Sequence, residues 1–243
     1  MNERQFYHMP DGRRIAFRHR PGEDLTIVFL PGYMSDMAGS KATALFDWAE
    51  AEGRACLLLD YSGCGESPGD FAEGTLGRWQ EEVVALIANQ VGGPVVLVGS
   101  SMGGWLMLLI AQELQAKVAG LVGIAAAPDF TEWGYSAEQK AALEMGRTVL
   151  EESLYGPEPT PTHAPFWRDG QARRILESEV PIDCPVRLLH GQDDADVAPE
   201  ISLRLAAMLR SRDVQVTLVK GGDHRLSRES DIALLLRTVA ALT

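Results

Sequence analysis

The sequence is short of three features: paired cysteines, long apolar runs and basic residues. Its three cysteines, Cys56, Cys64 and Cys184, are odd in number and lack the spacing of metal ligands, so they favour reduced thiols over a disulfide framework or a zinc site. No apolar run approaches the roughly 20 residues that span a bilayer. The 22 basic residues face 34 acidic ones, and this formal charge of −12 argues against nucleic acid or anionic membranes as partners.

The amino terminus also lacks an apolar segment. Residues 1–14 are polar and charged, without the apolar stretch that a secretory signal peptide requires. The sequence therefore predicts a cytoplasmic protein with no membrane span.

What the sequence does have is an alternation of short apolar runs with helical patterns. The predicted strands are Arg13–Arg20, Thr26–Gly32, Arg54–Asp60, Pro94–Ser100, Val118–Ala127, Val186–Gly191 and Val214–Gly221. The predicted helices are Thr43–Glu52, Gly77–Gln90, Gly104–Gln115, Glu200–Arg210 and Asp231–Leu242. The central strands are continuously apolar, as in strands that helices cover on both faces. At 243 residues the chain fits one α/β domain, in which ligands bind at the carboxyl ends of the strands.

The alternation is interrupted between Pro128 and Pro181. A helical candidate, Ser136–Leu154, lies here before a proline-rich stretch. An insertion of this length, 128–181, is typical of a lid over a substrate site within a single domain that spans 1–243. Its large apolar side chains either line a pocket or attach the insertion to the core. They are Phe130, Trp133, Met145, Phe166 and Trp167, of which the four aromatic residues are the predicted substrate contacts.

The stretch GSSMG, residues 99–103, joins a predicted strand to a predicted helix. A serine nucleophile on such a turn needs small residues two positions before and after it, because strand and helix approach closely there. Glycines occupy both positions around Ser101, whereas Ser100 would be flanked by Val98 and Met102. The motif therefore predicts Ser101 as the nucleophile and Ser100 as a bystander.

This turn resembles the nucleophile turn of α/β-hydrolases, in which an acid and then a histidine follow the serine along the chain. Of the five histidines, His224 satisfies that order in a loop after the last predicted strand. The stretch HGQDDADVA resembles the family pattern His-Gly-x-x-Asp-x-x-Val-Pro, which selects Asp194 as the acid. Because Ala198 stands where the pattern has proline, Asp193 and Asp196 remain alternatives.

Two backbone N–H groups are expected to bind the oxyanion of the reaction. One belongs to Met102, the residue after the nucleophile. The segment Pro31-Gly32-Tyr33 resembles the His-Gly-x oxyanion segment of the same superfamily, which gives the Tyr33 N–H as the second donor. The alternative is that Tyr33 is a half-buried loop aromatic.

The stretch DYSGCGESPG, Asp60–Gly69, resembles the turn Asp-x-x-Gly-x-Gly-x-Ser found after strand four in this superfamily. It lacks the Gly-x-Gly-x-x-Gly spacing of a dinucleotide-binding loop. We therefore expect it to be structural, and the sequence predicts no cofactor and no metal.

Several stretches together resemble one family within the α/β-hydrolases. PGYMSDM, DYSGCGESPGDF, GSSMGGWLML, LLHGQDDADV and GDHRLS are similar to the family that contains the mitochondrial palmitoyl-protein thioesterase, also an esterase of mycophenolic acid acyl-glucuronide, and many bacterial relatives. The resemblance implies the α/β-hydrolase fold, with a mostly parallel, eight-stranded type of sheet between helices.

It also implies a serine hydrolase of small-molecule acyl esters or thioesters that works through an acyl-enzyme, with Ser101, Asp194 and His224 as the triad. Carbon–carbon bond hydrolysis, perhydrolysis and non-catalytic ligand binding remain alternatives, since the fold alone does not fix the chemistry.

Overall fold

The structure, a computed structural model, describes residues 4–22, 25–152 and 157–243. Its strands are β1 (Gln5–His8), β2 (Arg14–Arg20), β3 (Thr26–Leu30), β4 (Ala55–Leu59), β5 (Val95–Ser100), β6 (Val118–Ile124), β7 (Val149–Glu151), β8 (Thr160–Thr162), β9 (Val186–Gly191) and β10 (Val214–Val219). Eight of them form one sheet in the order β1-β2-β4-β3-β5-β6-β9-β10. From β4 to β10 across this order the neighbours are parallel, while β2 pairs with β1 and with β4 in antiparallel fashion. The predicted mostly parallel sheet is confirmed.

Helices cover both faces of this sheet. They are α1 (Ser40–Ala51), α2 (Leu76–Gln90), α3 (Met102–Leu114), α4 (Phe130–Trp133), α5 (Ala137–Glu144), α6 (Ala164–Ala172), α7 (Glu200–Met208) and α8 (Glu229–Ala240). Along β3 the side chains alternate: Val28 and Leu30 face the layer of α2, α3 and α7, while Ile27 and Phe29 face the layer of α1 and α8. A continuously apolar strand such as β3 is thus buried on both sides.

The sheet differs from the prediction at its edge strand β1 and at the ends of several strands, of which β6 is the largest case. The edge strand β1 was not predicted, because Gln5–His8 is a short run with polar ends that pairs only with β2. The strand β6 ends at Ile124 and not at Ala127, since Ala125 has φ 45° and leaves the extended conformation.

The prediction of one helix over Ser136–Leu154 is wrong. The helix α5 begins after a capping box made by Ser136 and ends at Glu144, and Gly146 follows with φ +84°, a conformation that favours glycine. The chain then forms β7, which pairs with β8 in a separate antiparallel hairpin. Leu154 lies outside the described residues.

Across residues 4–22, 25–152 and 157–243, the helices are all too short or too polar to cross a membrane.

Candidate active site

Ser101 lies on a sharp turn between β5 and α3. Its backbone has φ 53° and ψ −119°, which is strained for a residue with a side chain. A methyl group on Gly99 would collide with the carbonyl oxygen of Gly103, and one on Gly103 would collide with that of Leu30. The backbone N–H of Ser101 donates to the carbonyl of Ile124 at 2.9 Å. The glycines therefore permit the close approach that holds Ser101 in this conformation.

The loops after β9 and β10 bring an acid and a histidine to this turn. Nε2 of His224 lies 3.1 Å from Oγ of Ser101, and its Nδ1 lies 2.9 Å from Oδ2 of Asp194. Because an ionised carboxylate can only accept, Nδ1 carries the hydrogen and Nε2 is left to accept from the serine hydroxyl. The structure thus connects Ser101, His224 and Asp194 in one series of hydrogen bonds. Of the three nearby acids, Asp194 is the one that bonds to Nδ1 of His224 in this series.

The carboxylate of Asp194 is fully buried and has two partners on each oxygen. Its Oδ1 accepts from the backbone N–H groups of Asp196 and Val197, both at 2.9 Å. Its Oδ2 faces His224 and also Nε2 of His190, at 3.1 Å. Burial alone would raise the pKa of Asp194, but the hydrogen bonds from the two histidines and Val197 lower it well below its ordinary value. Asp194 is therefore ionised at neutral pH.

The two residues predicted to donate to the oxyanion lie beside the serine. Met102 is the first residue of α3, where helical N–H groups have no acceptor within the helix. Tyr33 lies on the loop after β3, and both residues line the same cavity as Ser101. Gly32 packs against the turn, since a methyl group there would lie 3.3 Å from the carbonyl oxygen of Ser100. Both residues therefore lie near Ser101, and the roles of their N–H groups stay predictions.

The turn Asp60–Gly69 holds the loop that carries Tyr33. The fully buried hydroxyl of Tyr61 donates to the carbonyl of Pro31 at 3.1 Å. The carboxylate of Asp60 accepts from the backbone N–H of Met37 at 2.7 Å. These two contacts fix both ends of the loop. The sequence identified the turn as structural, but this connection to the site requires the fold.

A cavity of about 560 Å³ opens above Ser101, within the usual size of a small-molecule site. Of the four aromatic residues predicted to contact substrate, Phe130 and Trp133 line this cavity. Charged side chains also line it, among them Lys41 and Glu152. The cavity is therefore lined by both apolar and charged side chains.

The prediction that Phe166 and Trp167 line the pocket is wrong. The ring of Phe166 lies behind the cavity wall, 4.8 Å from the ring of Tyr33 between centroids. Nε1 of Trp167 donates to the carbonyl of Thr131, so this side chain links two segments of the insertion. Met145 is 72% exposed on the outer surface. Phe166 and Trp167 therefore contribute to packing, and Met145 faces solvent.

Asp194, Asp196 and His224 each bring a possible ligand atom within 4.8 Å of the others. Both ring nitrogens of His224 already bond to Asp194 and Ser101, however. The arrangement thus fits proton transfer from a serine better than metal binding.

Comparison with known proteins identifies the family of this chain. Residues 27–236 match the alpha/beta hydrolase family. The chain belongs to the alpha/beta hydrolase family. Among curated relatives of this alpha/beta hydrolase, the palmitoyl-protein thioesterase ABHD10, mitochondrial, from Homo sapiens is 37% identical over 243 residues, which cover 96% of this chain and 78% of that protein. The resemblance found in the sequence and the prediction of a hydrolase are confirmed.

Two solved structures show the same fold over nearly the whole chain. Alpha/beta hydrolase domain-containing protein 10 from mouse superimposes with a TM-score of 0.92 at 36% identity, covering 99% of this chain and 98% of that one. A putative hydrolase from Agrobacterium vitis S4 gives a TM-score of 0.93 at 38% identity, with the same coverage. The predicted fold class of this alpha/beta hydrolase is confirmed.

The prediction of a cytoplasmic protein is wrong. Each of the five curated relatives that match this alpha/beta hydrolase is named as a mitochondrial protein. The relatives therefore point to a mitochondrial location.

Proposed function

We propose that this chain is a serine hydrolase that cleaves carboxylic esters and thioesters through an acyl-enzyme. The supporting observation is the series of hydrogen bonds from Ser101 through His224 to the buried carboxylate of Asp194, at the floor of a cavity. The distance of 3.1 Å between Oγ and Nε2 is within the range for transfer of the serine proton.

The proposed reaction has two halves. Oγ of Ser101 attacks the acyl carbonyl while Nε2 of His224 takes its proton, and the N–H groups of Met102 and Tyr33 bind the oxyanion. His224 then gives the proton to the leaving alcohol or thiol, and the acyl group stays on Ser101. Water, activated by the same histidine, hydrolyses this ester. Asp194 holds the ring and stabilises its charged form throughout.

The substrate class follows from the relatives and the cavity together. Because a relative with 37% identity is named a palmitoyl-protein thioesterase, we propose that S-acyl thioesters are among the substrates. The insertion 128–181 would serve as a lid over them, since Phe130 and Trp133 from this segment line the cavity. The hydroxyl of Tyr33 also donates to the carbonyl of Pro161 at 2.9 Å, which connects the lid to the oxyanion loop.

Single alanine substitutions at the two adjacent serines test the nucleophile. Ser101→Ala should abolish turnover of p-nitrophenyl esters and covalent labelling by a fluorophosphonate, whereas Ser100→Ala should keep both. Retained labelling of Ser101→Ala would contradict the proposal. An inert wild-type protein that still binds a small ligand would favour a binding function instead.

A parallel set of substrates tests the reaction type. Thioesters and oxygen esters of increasing acyl length, a diketone and a perhydrolysis assay would be compared on one preparation. We expect turnover of the thioesters and esters, with loss of signal in Ser101→Ala. Preferred cleavage of the diketone or preferred perhydrolysis would replace the proposal with one of the other chemistries of this fold.

A further inference from the structure

His190 is a second histidine on the carboxylate of Asp194. It is the penultimate residue of β9, and its side chain is fully buried. Its Nε2 lies 3.1 Å from Oδ2 of Asp194 and 2.9 Å from the carbonyl oxygen of Val197. Its Nδ1 lies 2.7 Å from the hydroxyl of Ser202 on α7. Both ring nitrogens therefore have polar partners inside the protein.

These partners define the hydrogen positions on the His190 ring. Nε2 faces a carboxylate and a carbonyl, which can only accept, so Nε2 carries a hydrogen. The hydroxyl of Ser202 can donate to Nδ1, so a neutral ring has one Nε2 hydrogen, which the carbonyl of Val197 accepts at 2.9 Å and which Oδ2 of Asp194 shares at 3.1 Å. A ring with fixed hydrogens and no contact with water is a rigid donor to Asp194.

We propose that His190 is a positioning residue, whose Nε2–H group fixes the carboxylate of Asp194 so that Oδ2 faces Nδ1 of His224. The inference rests on the proposed function, in which Asp194 orients His224.

The geometry explains why the backbone donors are not sufficient for this purpose. The N–H groups of Asp196 and Val197 hold Oδ1 only. Without His190, the partner of Oδ2 would be His224 alone, and that ring takes up and returns a proton in every turnover. His190 takes no part in this exchange. It therefore keeps Oδ2 in place while the bond to His224 changes.

The contact between His190 and Val197 also closes the loop that carries Asp194. His190 donates to the carbonyl of Val197, while the N–H of Val197 donates to Asp194.

The titratable groups that face Asp194 are the two histidines and Asp196, whose carboxylate lies within 4.8 Å of the Asp194 and His224 ligand atoms. With one donor fewer, the Asp194 carboxylate would bind the proton it shares with His224 more tightly.

Two substitutions at His190 separate positioning from packing. His190→Phe keeps the size of the ring and removes the donor, so kcat/KM should fall on the order of tenfold and its acid limb should move to higher pH. His190→Gln places an amide N–H near the position of Nε2 and should recover most of both effects. Equal losses in the two variants, with the acid limb of the wild type, would overturn the proposal.

A control variant accounts for lost stability. Leu205 is fully buried on α7, the helix that carries Ser202, and has no polar atom to offer Asp194. Leu205→Ala should lower Tm at least as much as His190→Phe and leave the acid limb where it is in the wild type. A matching shift in Leu205→Ala would mean that destabilisation alone explains the profile, and the proposal would fail.

A measurement without turnover keeps this test independent of the proposed function. In protein with 13C-labelled aspartate carboxyl groups and a Ser101→Ala background, the Asp194 signal is followed as a function of pH, with and without His190→Phe. We expect Asp194 to titrate at higher pH when His190 is replaced. An unchanged titration overturns the role of His190 even if Ser101 is the nucleophile, and a changed one supports it even if Ser101 is not.

Discussion

Two regions of the molecule meet at the cavity and are built in different ways. The loops at the carboxyl edge of the sheet carry Ser101, Asp194 and His224, and they follow the parallel strands β5, β9 and β10. The described part of the insertion 128–181 consists of short helices and a small hairpin, and it is attached to the core by contacts such as the bond from the Gly77 N–H group to Asp169. The candidate reacting groups thus lie at the sheet edge, whereas the insertion contributes part of the cavity wall.

The difference separates two kinds of residue. Substitutions at the sheet edge should alter the reaction with any substrate, because they move the reacting groups themselves. Those in the insertion should alter which acyl groups are accepted. Variants in each region test this separation between the reaction and the choice of acyl group.

The largest effect is expected at the buried acid. Asp194→Asn keeps the shape of the side chain but can donate to Nδ1 of His224, which favours the wrong tautomer and should lower kcat by about 10⁴-fold. Steady-state kinetics with a short p-nitrophenyl ester measure the loss.

Asp193→Asn is the matched control, since its side chain is exposed and its backbone N–H bonds to the carbonyl of Gly222. It should retain activity close to that of the wild type. Equal losses at both positions would mean that the acid has been assigned to the wrong residue.

The sheet edge could be predicted from the sequence better than the insertion could. Ser101 was identified by two glycines at fixed spacing, because the close approach of a strand and a helix is a local requirement. His224 followed from chain order. The position of Asp194 came from a resemblance, since three nearby acids offer no local reason for a choice. Short-range spacing and chain order determine most of the geometry at the sheet edge, so it could be predicted from the sequence.

The rest depends on contacts between distant segments. Periodicity could not show that Phe166 packs behind Tyr33, more than a hundred residues away in the sequence. It also could not show the role of His190, whose partner Ser202 lies on another element. The predicted long helix failed for a related reason, because Gly146 and the hairpin partner of β7 decide that region.

The second prediction concerns the turn that carries Ser101, the proposed nucleophile. Gly99→Ala would place a methyl group against the carbonyl of Gly103, so we expect a loss of stability of about 3 kcal/mol and loss of fluorophosphonate labelling. Gly92→Ala is the control, because that glycine is exposed and a methyl group there would meet no atom within 4 Å. It should change stability by less than about 0.5 kcal/mol. Chemical denaturation measures both variants.

The third prediction concerns the insertion. Asp129 is buried, and its carboxylate accepts from the backbone N–H groups of Ile175 and Leu176, where the insertion returns to the core. Asp129→Ala leaves both N–H groups without that acceptor, which should cost about 2 kcal/mol and reduce turnover of long acyl chains. Labelling of Ser101 by a small fluorophosphonate should persist.

Asp129→Asn keeps one acceptor oxygen and should fall between the wild type and Asp129→Ala. Equal losses for short and long acyl chains would break the separation between insertion and sheet edge.

The last prediction concerns a contact between α1 and the His224 loop. Nζ of Lys41 donates to the carbonyl of Arg225, and burial, with a smaller contribution from the Arg225 charge, lowers the pKa of Lys41 to about 8. An unfolded lysine has a pKa of about 10.4, so the folded protein disfavours the protonated form. This cost is fully present below about pH 8 and disappears as the pH rises through about 10.4. Relative to Lys41→Met, the wild type should therefore gain stability over that interval. Urea denaturation of both proteins at several pH values checks this, and a constant difference would show that Lys41 does not titrate there.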